Sequence, residues 1–495
     1  MTKAMSDESL ALYMKSECTC LSAVLGGLAA CAMSSGCLDL PFSDVVTQLD
    51  SVVRTAIRAE NARQGDSNWN HVLAPASREE LAAYLSHESV FPGDTVSLFG
   101  ISQDSVLAVS LYRMGWYGGS GARLISNFGA TTVPAALGCS APLPGPAECL
   151  WPRSATLPIP SDVLPGVYVV RYTDSRGAAR FIPLVVKARQ QARVVVVLSF
   201  NTYQAYNSWG GASLYALRDG TIFAPRVSFL RPYSDHAVLL RFLMTDVPLV
   251  RFLERWGYPV SYVGDRDFDA DDQIGFGGRV VIFSGHSEYW SSRMRNHAEL
   301  LRTEGVGLAF FGANDSYWQV RYEGPGEGYH GDVLVCYKSN ADPLINNRSL
   351  ATVRFRDPAV GRPENALIGV MHNLNPNGSH FVRLRVKSND SQLLERTGFQ
   401  LGDTTSLIGG WEGDKTFDNG LTRPGLNVLF ETPYVVQTTG VPDVIQTTFY
   451  RDISGAGVFA AGTVAWNWAL DDLRPEVADT RVQQLVRNLL DWYLR

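Results

Sequence analysis

The run VVIFSGHSEYW, residues 280 to 290, limits what this chain can become more than any other segment. A continuous apolar, β-branched stretch of this kind reads as a strand buried on both faces. It stops at a Ser-Gly pair and then delivers His286 and Glu288. Side chains two apart on an extended backbone lie on the same side, so an imidazole and a carboxylate face one spot where the strand ends. Three further segments repeat the arrangement. RVVVVLSF (193–200) runs into Tyr203, Tyr206 and Asn207, VGLAFFGAN (306–314) ends at Asn314, and PVSYVGDRDFD ends at Asp265 and Asp267. Helical patterns lie between them, VPLVRFLERWG closing on Gly257 and SSRMRNHAELLRTEG on Gly305. Buried strands alternating with amphipathic helices predict a doubly wound, mostly parallel α/β domain of the Rossmann or flavodoxin kind over residues 191–495. Ligands of such sheets bind beyond the carboxyl ends of the strands, where these Tyr, Asp, His, Glu and Asn residues gather. A last helix over 479–494, with Val482, Leu485, Val486, Leu489 and Leu490 at helical spacing, is expected to pack back on the sheet.

At 495 residues the chain is too long for one core. Over residues 75–190 the texture changes to short alternating strands broken by Pro-Gly, Gly-Gly and Asp-Ser-Arg-Gly turns, which predicts a separate Ig-like antiparallel β-sandwich. Residues 1–74 are expected to be an N-terminal extension. Its apolar part, LSAVLGGLAACAMSSGCL (21–38), is too weak and short to span a membrane. LAAC at 28–31 has the form of a lipoprotein cleavage site, whereas Asp7, Glu8 and Glu17 are unlike the basic start of a signal. Export, as a secreted protein or lipoprotein, is the expectation over a cytoplasmic location. Cys18, Cys20, Cys31 and Cys37 fit no zinc spacing, and Cys336 stands alone. Cys139 and Cys149 bracket the loop CSAPLPGPAEC, and a disulfide or two free thiols both remain open. Net charge of -6 without a Lys/Arg-rich block excludes nucleic acid as a partner. No G-x-S-x-G elbow, P-loop or dinucleotide fingerprint follows a strand.

Seven short motifs then fall in order from about residue 75 onward: SVFPGDTV, YRMGWYGGSGARL, NTYQAYNSWGG, FSGHSEYW, FFGANDSYWQVR, GGWEGD and FAAGTVAWNW. Together they resemble the large (β) subunit of N,N-dimethylformamidase and its relatives. That resemblance implies an amidohydrolase acting on a small amide, with a mononuclear ferric iron, Fe(III), held by two tyrosines and one glutamate. Carried over motif by motif, the glutamate ligand is Glu288, with His286 beside it. One tyrosine is Tyr206, with Tyr203 as fallback, and the other is Tyr168, with Tyr172 behind it. Asn314 and Glu412 are implied to face the substrate and the attacking water. A homo-oligomer is expected as well. The family's large subunit carries an extra lectin-like N-terminal region and works with a small second subunit, and neither is evident in this sequence.

The chemistry is coherent without the family. Phenolate and carboxylate oxygens are hard donors suited to a hard trivalent ion, and a tyrosine with a pKa of about 10 ionises at neutral pH only against a strong Lewis acid. Such a metal activates water and polarises an amide carbonyl. Glu412 would move the proton, Asn314 would donate to the oxyanion, and His286 would orient a ligand oxygen. Each residue taken alone has a quieter meaning: a salt-bridged strand edge, aromatic packing, or a turn cap. Two other classes therefore stand beside the first. One is a metal-independent carbohydrate-active hydrolase using Glu288 and Glu412, with Trp209, Trp290 and Trp411 as sugar platforms. The other is a binding protein that does no chemistry.

Overall fold

The computed structural model describes residues 42–70, 80–140, 146–217, 220–235, 238–324, 331–373, 381–388, 390, 392–436 and 440–495. Residues Gln48–Arg495 form one compact unit. The apolar run 21–38, with Cys31 and Cys37, and Cys18 and Cys20 just before it, lie outside the described residues.

Seven strands form the main sheet: β1 (Val194–Leu198), β2 (Val260–Gly264), β3 (Val280–Gly285), β4 (Gly307–Gly312), β5 (Asn427–Val435), β6 (Pro442–Arg451) and β7 (Gly457–Ala460). Their order is β2-β1-β3-β4-β7-β6-β5. The first five in that order run parallel, and β6 and β5 add antiparallel to the far side. Every residue of β1, β3 and β4 is buried, which is why their sequences are continuously apolar rather than alternating. Three helices of ten or more residues follow β1 among the described residues: α1 (Val247–Trp256), α2 (Ser292–Thr303) and α3 (Thr480–Tyr493). α1 ends on Gly257 in the left-handed region at φ 63°, and α2 is capped by Ser291, whose side chain accepts the Met294 N–H. α3 buries Val482, Leu485, Val486, Leu489 and Leu490, and its Tyr493 hydroxyl donates to the Leu308 carbonyl of β4 at 3.0 Å.

This arrangement corrects the expected fold. The molecule is a mixed α/β protein of many small sheets and few helices, 22% helical against 34% strand, and its described residues show no clear doubly wound Rossmann- or flavodoxin-like domain. A doubly wound sheet needs a helix in each crossover. The long connection from β4 to β5 instead holds short strand pairs and, among its described residues, a single four-residue helix, Asn365–Ile368. The sheet is then completed by a hairpin, which no crossover rule governs.

Ahead of it, a three-stranded sheet (Leu81–Leu85, Thr95–Ser102, Ala155–Pro158) and a five-stranded sheet (Ser89–Val90, Ala179–Val186, Gly166–Thr173, Val106–Met114, Ala122–Thr132) share one apolar cluster that includes Leu81, Leu98, Leu107, Tyr168 and Leu184. The second of these sheets carries a parallel pair, 89–90 against 185–186. Its other face, with Met114, Val167, Val169 and Val185, joins the core that also contains β1 and β3. Cys139 and Cys149 form a disulfide, and beyond it the Cys149 N–H donates to Leu230 O at 2.8 Å.

Candidate active site

The ends of β1, β3 and β4 and the turn 409–414 bring their polar residues together. Glycine makes the close approach possible: a Cβ on Gly312 would stand 1.7 Å from the Gly285 carbonyl oxygen, so the ends of β3 and β4 touch backbone to backbone. β1 passes into a short helix, Phe200–Ala205, that stops at Tyr206. The Tyr206 and Tyr215 rings lie 4.5 Å apart, and the Tyr206 hydroxyl donates to that of Tyr215 at 3.2 Å. From there the Tyr215 hydroxyl donates to Glu288 Oε1 at 2.6 Å. Two phenols and a carboxylate thus stand in one chain of contacts. His286 Nε2 is 3.5 Å from Glu288 Oε2 and 3.0 Å from Glu412 Oε2, and the Asn314 amide hydrogen-bonds Glu412.

Charge is balanced across this cluster. The Arg241 guanidinium, from the π-helical turn Val238–Asp246, lies 3.5 Å over the centre of the Tyr206 ring. Lys338 Nζ stands 3.2 Å over the Tyr215 ring and donates to the Tyr289 hydroxyl at 2.8 Å. Burial pushes the Tyr206 and Tyr215 phenols well above their usual range, and Glu288 adds to it. Burial alone would raise Glu412 too, but His286 outweighs it and draws that carboxyl down to about 2. Burial opposes a charged His286, yet the Glu412 carboxylate prevails and its pKa is raised. Both shifts favour the carboxylate–imidazolium form of the pair.

Beyond the His286–Glu412 contact, the buried Asn314 Oδ1 has no hydrogen-bond partner among the described residues, and Glu288 Oε2 has only His286 Nε2, at 3.5 Å. Orphans of this kind call for a ligand, because a buried polar atom left unpaired costs about 1–3 kcal/mol. Among the described residues no group of three or more His, Cys, Asp or Glu is arranged to hold a metal. The donor set that does converge is two phenols and one carboxylate, and its chemistry fits a hard trivalent ion.

Six residues predicted from sequence or resemblance were Glu288, His286, Tyr206, Asn314, Glu412 and Tyr168, and the structure brings the first five together. Tyr168 is elsewhere. It lies in the strand Gly166–Thr173, whose even residues Tyr168, Val170 and Tyr172 face the cluster between the two small sheets, while Val167 and Val169 face the main core. The Tyr168 hydroxyl donates to Leu164 O at 2.5 Å, and the Tyr172 hydroxyl accepts the Ala83 N–H at 3.2 Å. The place beside Glu288 belongs to Tyr215, which sequence reasoning missed; its one signal was being the third tyrosine of NTYQAYNSWGGASLY. Tyr203 donates its hydroxyl to Asp246. Asp265 accepts the Asn201 N–H, and Asp267 binds the Gly264 N–H and Lys187. Asn207 donates to Pro232 O. Of the three tryptophans, Trp290 is fully buried with its indole N–H on Ser287, Trp209 packs with Cys149 and Trp151, and Trp411 is partly buried beside Trp468.

No curated protein matches the chain. Among solved structures, a Paenibacillus sp. cycloisomaltooligosaccharide glucanotransferase complexed with cycloisomaltoheptaose aligns at 9% identity over 78% of this chain and 98% of that one, with a TM-score of 0.20, too low to bear on fold or function. The family model for the C-terminal region of N,N-dimethylformamidase beta subunit-like proteins matches residues 108–480, which include the whole cluster. The chain belongs to the N,N-dimethylformamidase beta subunit-like family.

Proposed function

We propose that this chain hydrolyses the C–N bond of a small amide, with a mononuclear ferric ion held by Tyr206, Tyr215 and Glu288. The observation that carries the reading is the contact chain of three hard oxygen donors, Tyr206 to Tyr215 at 3.2 Å and Tyr215 to Glu288 at 2.6 Å, in a family of amidase subunits. The chemistry supplied by ferric iron in that donor set is Lewis acidity toward a carbonyl oxygen and toward water. The protein's own residues supply the rest. Arg241 and Lys338 over the two rings offset the negative charge of the donors. Glu412, ionised by its imidazolium neighbour, takes a proton from the attacking water. The His286–Glu412 pair, 3.0 Å apart, then returns that proton to the departing amine. Asn314 donates its amide to the carbonyl oxygen as charge develops there.

The test is metal content by mass spectrometry, with the visible spectrum, on the purified chain and three variants. About one iron per chain and a broad phenolate charge-transfer band are expected in the wild type and in Tyr168→Phe, with both lost in Tyr206→Phe and Tyr215→Phe. A Tyr215→Phe protein with full iron and an unchanged band would remove Tyr215 from the donor set. No iron after reconstitution would remove the metal. Turnover of small amides is expected to vanish in Glu412→Gln with iron retained.

A further inference from the structure

Four of the seven non-glycine residues in the left-handed region among the described residues lie at this site: Asn314 at φ 57°, Ser316 at φ 53°, Lys338 at φ 60° and Trp411 at φ 67°. Asparagine tolerates that backbone better than most residues, but the conformation is held only where surroundings enforce it. At Asn314 the enforcing contact is one hydrogen bond from outside its own loop: the Asn314 N–H donates to Asp414 Oδ1 at 2.9 Å. Asp414 is 2% exposed and is itself fixed, since its N–H donates to Gly462 O at 3.0 Å and its strand pairs with His372. On the other side of the loop, Asp315 Oδ1 accepts the Ser287 N–H at 3.0 Å and the Ser316 N–H donates to Ser287 O at 2.8 Å. Asn314 is therefore gripped between the turn that bears Glu412 and the loop that bears Glu288.

We propose that Asp414 is a positioning residue: by accepting the Asn314 N–H it holds that backbone left-handed and so aims the Asn314 amide at Glu412. The inference deepens the reading of the same site and rests on it only for its kinetic arm. Among the described residues, the acceptor of that N–H is Asp414 Oδ1 alone. Its carboxyl is buried, and burial raises it to about 7, with Glu412 adding to the rise, so the contact needs an acceptor oxygen and not a full charge. Asparagine at 414 keeps the oxygen; alanine does not.

The test compares Asp414→Ala and Asp414→Asn in the full chain by crystal structure and by kinetics. In Asp414→Ala, Asn314 is expected to leave the left-handed region and withdraw from Glu412, with kcat down about 100-fold and KM within about 3-fold. Asp414→Asn is expected to keep Asn314 in place and recover kcat to within about 10-fold of wild type. Should the alanine variant not fold, Asp414→Ser, too short to reach the N–H, carries the same comparison. Asn314 still left-handed against Glu412 in Asp414→Ala or Ser would overturn the proposal. So would an Asp414→Asn protein as inactive as Ala with Asn314 undisturbed, since the carboxylate would then act through charge. If the wild type turns over no small amide, the functional reading fails while the structural arm still decides Asp414.

Discussion

Asp246 is a carboxyl whose surroundings favour its proton. It is fully buried, and burial raises its pKa to about 6 even though Ser284, Tyr203 and Thr245 bond to it. The folded state therefore holds this proton more tightly than the unfolded chain. The stability that protonation brings is complete below about pH 4 and is lost as pH rises through about 6. Asp246→Asn cannot ionise, so between about pH 4 and pH 7 the stability gap should move toward the variant by about 3 kcal/mol, measured by urea unfolding at each pH. A gap that stays constant with pH would show that Asp246 is ionised in the folded protein. The same scale shows what sequence can convey about a site. Glu288, His286 and Asn314 could be found because each sits at the end of an apolar strand, a position that local pattern reveals. Tyr215 could not, because its approach to Glu288 depends on how the chain turns between Tyr206 and β2. Tyr168 was misplaced for a related reason: alternation shows that 168 and 172 share a face of the strand, but not which of the two cores that face meets.

At the scale of elements, α1 is joined to the strand Val106–Met114 by a buried ion pair. Arg113 meets Glu254 through both terminal guanidinium nitrogens, Nη1 and Nη2, at 3.0 and 2.9 Å, and the two side chains are 1% and 0% exposed. Asn61 donates to the same carboxylate at 2.6 Å. Removing one partner strands a buried charge, so Glu254→Ala should cost about 3–5 kcal/mol in denaturant unfolding. Arg113→Met with Glu254→Leu, which removes both charges, should lose much less. Equal losses in the single and double variants would mean that packing, not charge, is what the pair contributes. Legibility differs among elements for physical reasons. Strands β1, β3 and β4 are continuous apolar runs, and α1 and α2 stop at Gly257 and just before Gly305, so their sequences announce them. Strand direction is not written in such runs, and the antiparallel hairpin β5–β6 was invisible for that reason. The connection from β4 to β5 lacks any sustained 3.6-residue period, and it is there that the expectation of a doubly wound domain failed.

For the molecule as a whole, the decisive fact is that the core does not stop at residue 190. Tyr112, Met114, Val167, Val169 and Val185, from the first part of the chain, share one buried cluster with Val194, Val196, Phe252 and Val280. Polar contacts tie the same two regions together: Lys187 reaches Asp267 at 2.6 Å, and Arg266 pairs with Glu88. Exposing the apolar face of the five-stranded sheet would strip several fully buried aliphatic side chains, each contributing about 1.5–3 kcal/mol. The buried Arg113–Glu254 pair would be broken in the same event. Neither region can then open at a temperature where the other stays closed, even though their strands form separate sheets. Scanning calorimetry of the full chain is accordingly expected to show one transition, and the Glu254→Ala variant should lower it as one peak. Two resolved transitions in the wild type would show that the shared cluster is too weak to couple the sheets. A variant that splits one peak into two would locate the coupling in the Arg113–Glu254 pair and not in the apolar contact.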